Sequence, residues 1–277
     1  MPDGAARLVE IGEPDDPRIR PYHALRGDGG EGDDRFFLCE GITLVERLLA
    51  SRCEVESLMV TRRRVARIPC GVPEEVPVYV IPDSLLPDVA GRGYKNGVYA
   101  RARRLFLPEA WRREGPDGPA LLLGLPRLTM PGNAGAVLRS AAALGADGAI
   151  LGPECADPFH HHAVRASMGA VFVLPMVRTI DFVGELLRLK QVGFRVAAAV
   201  LDADARPLQQ FAPPVDAGNR YLLLLGNEYD GLAPDLLPLC DYRLVLPMAN
   251  GMDSLNVAMA ATLFLYEFTR IRDAASH

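Results

Sequence analysis

No run of apolar residues in this 277-residue chain reaches the roughly 20 residues needed to cross a bilayer. The opening stretch MPDGAARLVEIGEPDD is acidic and lacks the basic and apolar pattern of a secretory leader. Cysteine is sparse: Cys39, Cys53, Cys70, Cys155 and Cys240 are scattered, odd in number and without a CxxC pair. That argues against a disulfide framework or a zinc site and for reduced structural thiols in a cytoplasmic protein. The fingerprints GxGxxG and GKS/T are also missing, which disfavours a dinucleotide-dependent oxidoreductase or a nucleoside-triphosphate site. The one tryptophan, Trp111, falls in a Gly- and Pro-broken stretch and says nothing about chemistry.

An overall excess of positive charge is missing too. The net charge is −5, which taken alone argues against nucleic acid as a partner. The distribution is uneven: residues 1–59 carry 7 basic against 13 acidic side chains, and residues 60–108 carry 9 against 4. The basic side chains of the second stretch are nearly all arginine, in TRRRVAR and GRGYKNGVYARARR. Guanidinium forks suit phosphates and stack on bases, so Arg62, Arg63 and Arg64 are candidate RNA contacts; a solvated charged face is the other reading.

What is present is enough apolar residue, 49% of the chain, to bury a core in one large or two ordinary domains. Residues 1–35 alternate Pro, Gly and Asp and are expected to form a flexible segment. Residues 36–108 read as a small α/β domain with strands in FFLCEG, VESLMVT, VPVYVIP and GVYARARR and a helix in ITLVERLLAS. Residues 109–118 read as a linker. From residue 119 to 277, ALLLGL, GAIL, VFVLPMV, FRVAAAV, YLLLLG and YRLVLPM make six strands alternating with helical patterns, hence a mainly parallel sheet.

The strongest local signal is Tyr221 to Arg270. Its two strands end in the polar loops GNEYDG and ANGMDSLN, the second opening the helix VAMAATLFLYEF with Ser254 where a cap is wanted. Ligands of open α/β sheets gather at such strand ends. Earlier, LTMPGNAG opens the helix AVLRSAAALG. If Asn133 caps that helix, Arg139 can lean back to its N-terminus and complete an anion site. His160, His161 and His162 invite a metal reading. Neighbours on a helix point some 100° apart, however, so a solvated helix start, set near RNA, is expected instead.

The loop with Asn133 and Arg139, the turn GNEYDG, and PMANGMDSLNVAMA, in that order, resemble the three motifs of the SpoU/TrmH family. These are RNA ribose 2′-O-methyltransferases of the SPOUT superfamily. RASMGAVF at 165–172 is also similar to family sequence, and the resemblance covers about 119–272. Residues 36–104 more loosely resemble the ribosomal-protein-like substrate domain of ribosomal-RNA members, departing at GYKNGV, where those relatives usually have a Pro-Gln-Gly turn. The resemblance implies a C-terminal trefoil knot, a homodimer joined through the catalytic domain with active sites drawing on both subunits, and S-adenosylmethionine as cofactor without a metal. It implies Gly226, Leu246 and Leu255 as cofactor contacts with Met248 beside them. It assigns Asn133, Arg139, Glu228, Ser254 and Asn256 to catalysis, and Arg165 is a candidate phosphate contact that could equally pair with a carboxylate.

An arginine keeps its proton until well above pH ~12, so Arg139 suits gripping a phosphate and steadying a developing alkoxide better than acting as base. The expected activity is methyl transfer to a ribose 2′-hydroxyl in structured RNA, ribosomal rather than transfer RNA on the strength of the N-terminal domain. Two alternatives stand beside it: a transfer-RNA enzyme of the same family, and a non-catalytic RNA-binding assembly factor with the same fold. Asn256 and Ser254 also read simply as caps and turn residues.

Overall fold

Alternation in β2 (Phe36–Glu40) buries Phe37 and Cys39 and leaves Phe36, Leu38 and Glu40 half-covered, the period-two pattern of a strand with one face on a core. In the computed structural model, residues 7–26, 33–106, 120–202, 204–213 and 219–274 are described. The linker expected at 109–118, with Trp111, and the stretch GDGGEG lie outside them. The described chain packs as two units: residues up to Leu105 with Phe159–Val173, and Phe106–Pro158 with Leu174 onward.

The first unit holds a five-stranded mixed sheet. Besides β2 it contains β1 (Leu8–Glu10), β3 (Val55–Thr61), β4 (Val78–Ile81) and β5 (Val98–Arg103), in the order β1-β4-β3-β5-β2. Strand β4 runs parallel to β1 and β3, while β5 is antiparallel to β3 and β2. Helix α1 (Ile42–Leu49) presents Leu44, Val45 and Leu48 to the core at helical spacing. The segment Phe159–Val173 supplies a short helix, His161–Ser167, and two aromatic rings that meet Phe37 at 4.9 Å (Phe159) and 5.6 Å (Phe172).

Residues 7–26 depart from the flexible segment expected there. They form β1 and a 3-10 turn (Arg20–Arg26), and they bury Ile11, Ile19, Tyr22 and Leu25 against Met59, Ile81, Leu86 and Tyr99. The Tyr22 and Ser57 hydroxyls share a buried hydrogen bond of 2.8 Å. The physical reason is that four well-spaced apolar side chains form one patch when the backbone between them turns, and no period records that.

In the second unit, seven parallel strands stand in the order β10-β12-β9-β11-β6-β7-β8. They are β6 (Ala120–Leu125), β7 (Gly148–Leu151), β8 (Met176–Arg178), β9 (Arg195–Ala199), β10 (Arg206–Pro207), β11 (Arg220–Leu224) and β12 (Tyr242–Val245). The six strands expected are present; the seventh, β10, has two residues and carries no pattern. Pro175 divides the expected strand VFVLPMV, leaving Ala170–Phe172 as a 3-10 turn and only Met176–Arg178 in the sheet. Helix α2 spans Pro131–Ala143, α3 Phe182–Gln191 and α4 Val257–Ala274. One face of the sheet packs on α3 through Phe182, Leu186 and Leu189 against Leu122, Leu222 and Leu224. Against β11, α4 places Phe268 with its ring 5.4 Å from that of Tyr221, and Ser140 of α2 shares a 2.7 Å hydrogen bond with Thr262 of α4. Among the described residues no helix is long and apolar enough to cross a membrane.

Ile19 is fully buried in a segment that composition alone would leave outside the core. Ile19→Ala should cost the first unit about 2–5 kcal/mol, as large-to-small core changes do, read by urea unfolding. A loss under ~0.5 kcal/mol, typical of surface changes, would remove residues 7–26 from the core.

Candidate functional site

Because β6 and β11 are neighbours, pinned by Leu225 N–H donating to Gly124 O (3.0 Å), their C-terminal loops lie side by side. The loop after β11 closes on itself: Asn227 N–H donates to Gly231 O at 2.8 Å and Gly231 N–H to Asn227 O at 3.1 Å. Gly231 has φ +70°, and Gly226 admits no side chain because a Cβ would sit 2.3 Å from the carbonyl carbon of Gly231. The glycine is thus demanded by the loop's own returning backbone. Asn227 is buried and spans both loops: its amide donates to Arg127 O (3.1 Å) and Thr129 Oγ1 (3.4 Å), while its oxygen accepts from Tyr229 N–H (2.8 Å). An Arg127–Asp230 ion pair adds a second tie.

The carboxylate of Glu228 faces the start of α2. It accepts from Thr129 N–H (3.4 Å), Thr129 Oγ1 (3.4 Å), Met130 N–H (3.3 Å) and Asn133 Nδ2 (3.1 Å). A negative group at the positive end of a helix is in the favoured place. Met130, not Asn133, is the cap residue of α2; Pro131 occupies the first turn, where a missing N–H costs nothing, and Asn133 lies inside the helix. The Asn133 side chain is thereby free for the site. It donates to Glu228 and accepts from Asn256 Nδ2 at 3.2 Å. Ser254 likewise is not the cap of α4. Asn256 takes that role, its Oδ1 accepting from Ala258 N–H at 2.9 Å, because the helix begins at Val257, where the apolar pattern starts, and the residue just before it is Asn256.

These loops enclose a cleft of about 650 Å³, within the range of small-molecule sites. Asn133, Glu228, Ser254 and Asn256 line it together with Gly226, Leu246, Met248 and Leu255. Arg139 does not; it is exposed on α2 and makes no hydrogen bond or ion pair among the described residues. The remaining candidates belong to the first unit. Arg62 pairs with Glu10 and Arg63 with Asp83, each arginine still more than half exposed, while Arg64 is half-buried and Arg165 exposed on the short helix. The residues missed by sequence are Asn227 and Thr129; an Asn followed four positions later by Gly was the available sign of a side-chain-closed turn.

The histidines do stand at a helix start, with His162 exposed and His160 and His161 half-buried. His160 stands before the helix as its cap, outside the 100° spacing, and the three rings gather with centroids 4.0–5.3 Å apart. Burial, then the neighbouring His160, His162 and Arg165, pushes His161 down to about 4, so its ring is uncharged at neutral pH. Among the described residues no group of three His, Cys, Asp or Glu is placed to hold a metal ion. Burial pushes the Cys155 and Cys240 thiols up to about 11, away from nucleophilic duty.

A model of the SpoU rRNA Methylase family matches residues 120–266. A Mycobacterium bovis protein described as an uncharacterised tRNA/rRNA methyltransferase is 35% identical over 97% of this chain and 94% of its own. The Bacillus subtilis 23S rRNA (guanosine(2553)-2′-O)-methyltransferase RlmP is 29% identical over 94% of this chain and 98% of its own. An AdoMet-bound rRNA methyltransferase structure from Sinorhizobium meliloti matches with a TM-score of 0.80 and 28% identity, covering 95% of this chain and 98% of that one.

Gly226→Ala forces a methyl group into backbone 2.3 Å away. The Asn227 and Gly231 amides should then exchange with solvent roughly 5- to 150-fold faster, since overpacking of this kind costs about 1–3 kcal/mol. Native protection in the variant would show that the loop closure does not need the glycine.

Proposed function

The chain belongs to the SpoU rRNA methylase family, and from that premise we propose that it methylates a ribose 2′-hydroxyl of ribosomal RNA, using S-adenosylmethionine. The observation that carries the reading is the cleft itself: three loops far apart in sequence bring Asn133, Glu228, Ser254 and Asn256 to one wall-lined space beside Gly226, Leu246, Met248 and Leu255. The full-length similarity to a 23S rRNA ribose methyltransferase and to an AdoMet-bound rRNA methyltransferase supports both substrate and cofactor.

The apolar side chains Leu246, Met248 and Leu255, with the side-chain-free Gly226, fit a cofactor that is part apolar and part polar, and the loop amides and carbonyls around them can read its base. S-adenosylmethionine, when bound there, supplies a methyl group activated on a sulfonium. The rest falls to the chain: binding the RNA, orienting one ribose and handling one proton. Glu228 already accepts four hydrogen bonds, which suits it to fixing the loops rather than taking the proton. Asn133 and Asn256 fix each other and set the polar wall against which the ribose lies, with Ser254 beside them. Arg139, outside the cleft of its own chain, serves the cleft of the other subunit in the homodimer, where it grips the phosphate next to the reacting ribose and stabilises the oxygen as it loses its proton.

The first unit supplies RNA affinity. Exposed ion pairs such as Arg62–Glu10 and Arg63–Asp83 are weak, so a phosphate can replace the carboxylate. Met259, Leu263 and Tyr266 lie exposed along one stripe of α4, which favours a homodimer through this unit. The knot expected of the family, the cytoplasmic setting and the phosphate role of Arg165 belong to the same reading.

Arg139→Ala should bind S-adenosylmethionine normally by calorimetry and lose on the order of 100- to 1000-fold in methyl transfer to ribosomal RNA; Arg139→Lys, without the fork, should recover only a small part. Near-native turnover by Arg139→Ala removes this residue from the active site. Light scattering of the intact chain at micromolar concentration should give twice the 30.1 kDa chain mass, and Leu263→Glu should shift it toward the monomer; a native monomer overturns the dimer.

A further inference from the structure

We propose that Tyr229 is the platform on which a nucleobase of the RNA substrate stacks at the mouth of the cleft. The proposal rests on the methyl-transfer reading above.

Three side chains stand at the tip of the closed Gly226–Gly231 loop. Glu228 is held by the start of α2, and Asp230 is held by Arg127. Tyr229 differs. Its backbone N–H is fixed by Asn227 Oδ1 at 2.8 Å, yet the residue is 81% exposed and its side chain has no hydrogen bond or ring contact among the described residues. It nevertheless lines the same cleft as Met130, Asn133, Ser254 and Asn256. The loop therefore presents a large flat apolar surface to water from a fixed backbone, and covering it is favourable. A tyrosine on rigid backbone loses little conformational freedom when it is covered.

The covering group should be flat. A ribose in structured RNA reaches a cleft wall only if its nucleotide is drawn out of the helical stack, and its base then loses its neighbours. An aromatic ring beside the cleft replaces that stacking, and it does so for any base, since each offers a π face. The adenine of the cofactor has the same chemistry. A cofactor-sized ligand buries most of its own surface, however, and a residue left four-fifths exposed stands on the rim, where a macromolecule approaches. The RNA base is the occupant.

The test uses an in-vitro 23S rRNA transcript. In methyl transfer at sub-saturating RNA, Tyr229→Ala should lose roughly 5- to 150-fold in kcat/KM, the span of base–aromatic stacking, while calorimetry shows S-adenosylmethionine affinity unchanged. Tyr229→Phe keeps the ring and should regain most of the loss; a Phe variant as poor as Ala would assign the role to the hydroxyl and overturn stacking. Tyr229→Trp in a Trp111→Phe background leaves a single tryptophan, whose emission the transcript should quench without any turnover. Native kcat/KM in Tyr229→Ala, S-adenosylmethionine affinity falling in step with it, or bound RNA that leaves the emission unchanged each overturns the proposal. A native chain that binds the transcript but transfers no methyl group defeats the methyl-transfer reading alone, and the quench then still decides Tyr229. If the transcript does not bind, both fall.

Discussion

The carboxylate of Glu228 is the junction on which the cleft depends. It sits on the loop after β11 and collects donors from Thr129, Met130 and Asn133, about a hundred residues earlier in the chain. Three of the four contacts are long, and no one of them would hold two loops together. Their sum does, because the carboxylate is ionic, faces a helix N-terminus and gives the two amides just before α2 a partner. The attraction of such a charge to the helix end is about 0.3–1 kcal/mol, modest against folding as a whole but concentrated where two loops must not drift apart. Parallel pairing of β6 with β11 is the precondition, since only neighbouring parallel strands deliver both loops to the same sheet edge.

From that junction a chain of amides runs outward. Asn133 gives a hydrogen bond to Glu228 and receives one from Asn256, and Asn256 in turn receives one from the first turn of α4. Each residue thus does two jobs: it satisfies a helix end or a loop, and it fixes the next polar group on the cleft wall. Reading Asn256 as a cap and reading it as part of an active site are therefore one description. A side chain held from both sides loses little further freedom when a substrate arrives, which is what preorganisation means in physical terms.

How far the sequence foretold this varies with the range of the interaction. The strands ALLLGL and YLLLLG announce themselves, because a strand covered on both faces is a continuous apolar run. The polar loops that follow them are equally plain, and of the nine residues expected from motif resemblance all but Arg139 line the space. Arg139 was placed on its helix correctly, but no pattern could tell that it would stand outside the cleft of a single chain. The caps stand three residues before Asn133, at Met130, and two residues after Ser254, at Asn256, because a helix start depends on local backbone and amide partners and not on the apolar period. The cross-loop partners of Asn227 and the buried pair Tyr22–Ser57 were invisible, since they lie 98 to 100 and 35 residues apart.

The membership of Phe159–Val173 in the first unit bears on how the protein is made. A ribosome releases the chain from its N-terminus. When residue 105 has emerged, Phe37 still lacks the rings of Phe159 and Phe172, and the sheet of the first unit has an unfilled face. By the time residue 173 arrives, β6, α2 and β7 are already outside, and β6 must wait for β11, a further fifty residues or so behind. The two units cannot be finished one after the other. Their folding is interleaved by the order of synthesis, so a pause in translation between residues 105 and 173 would hold both open at once.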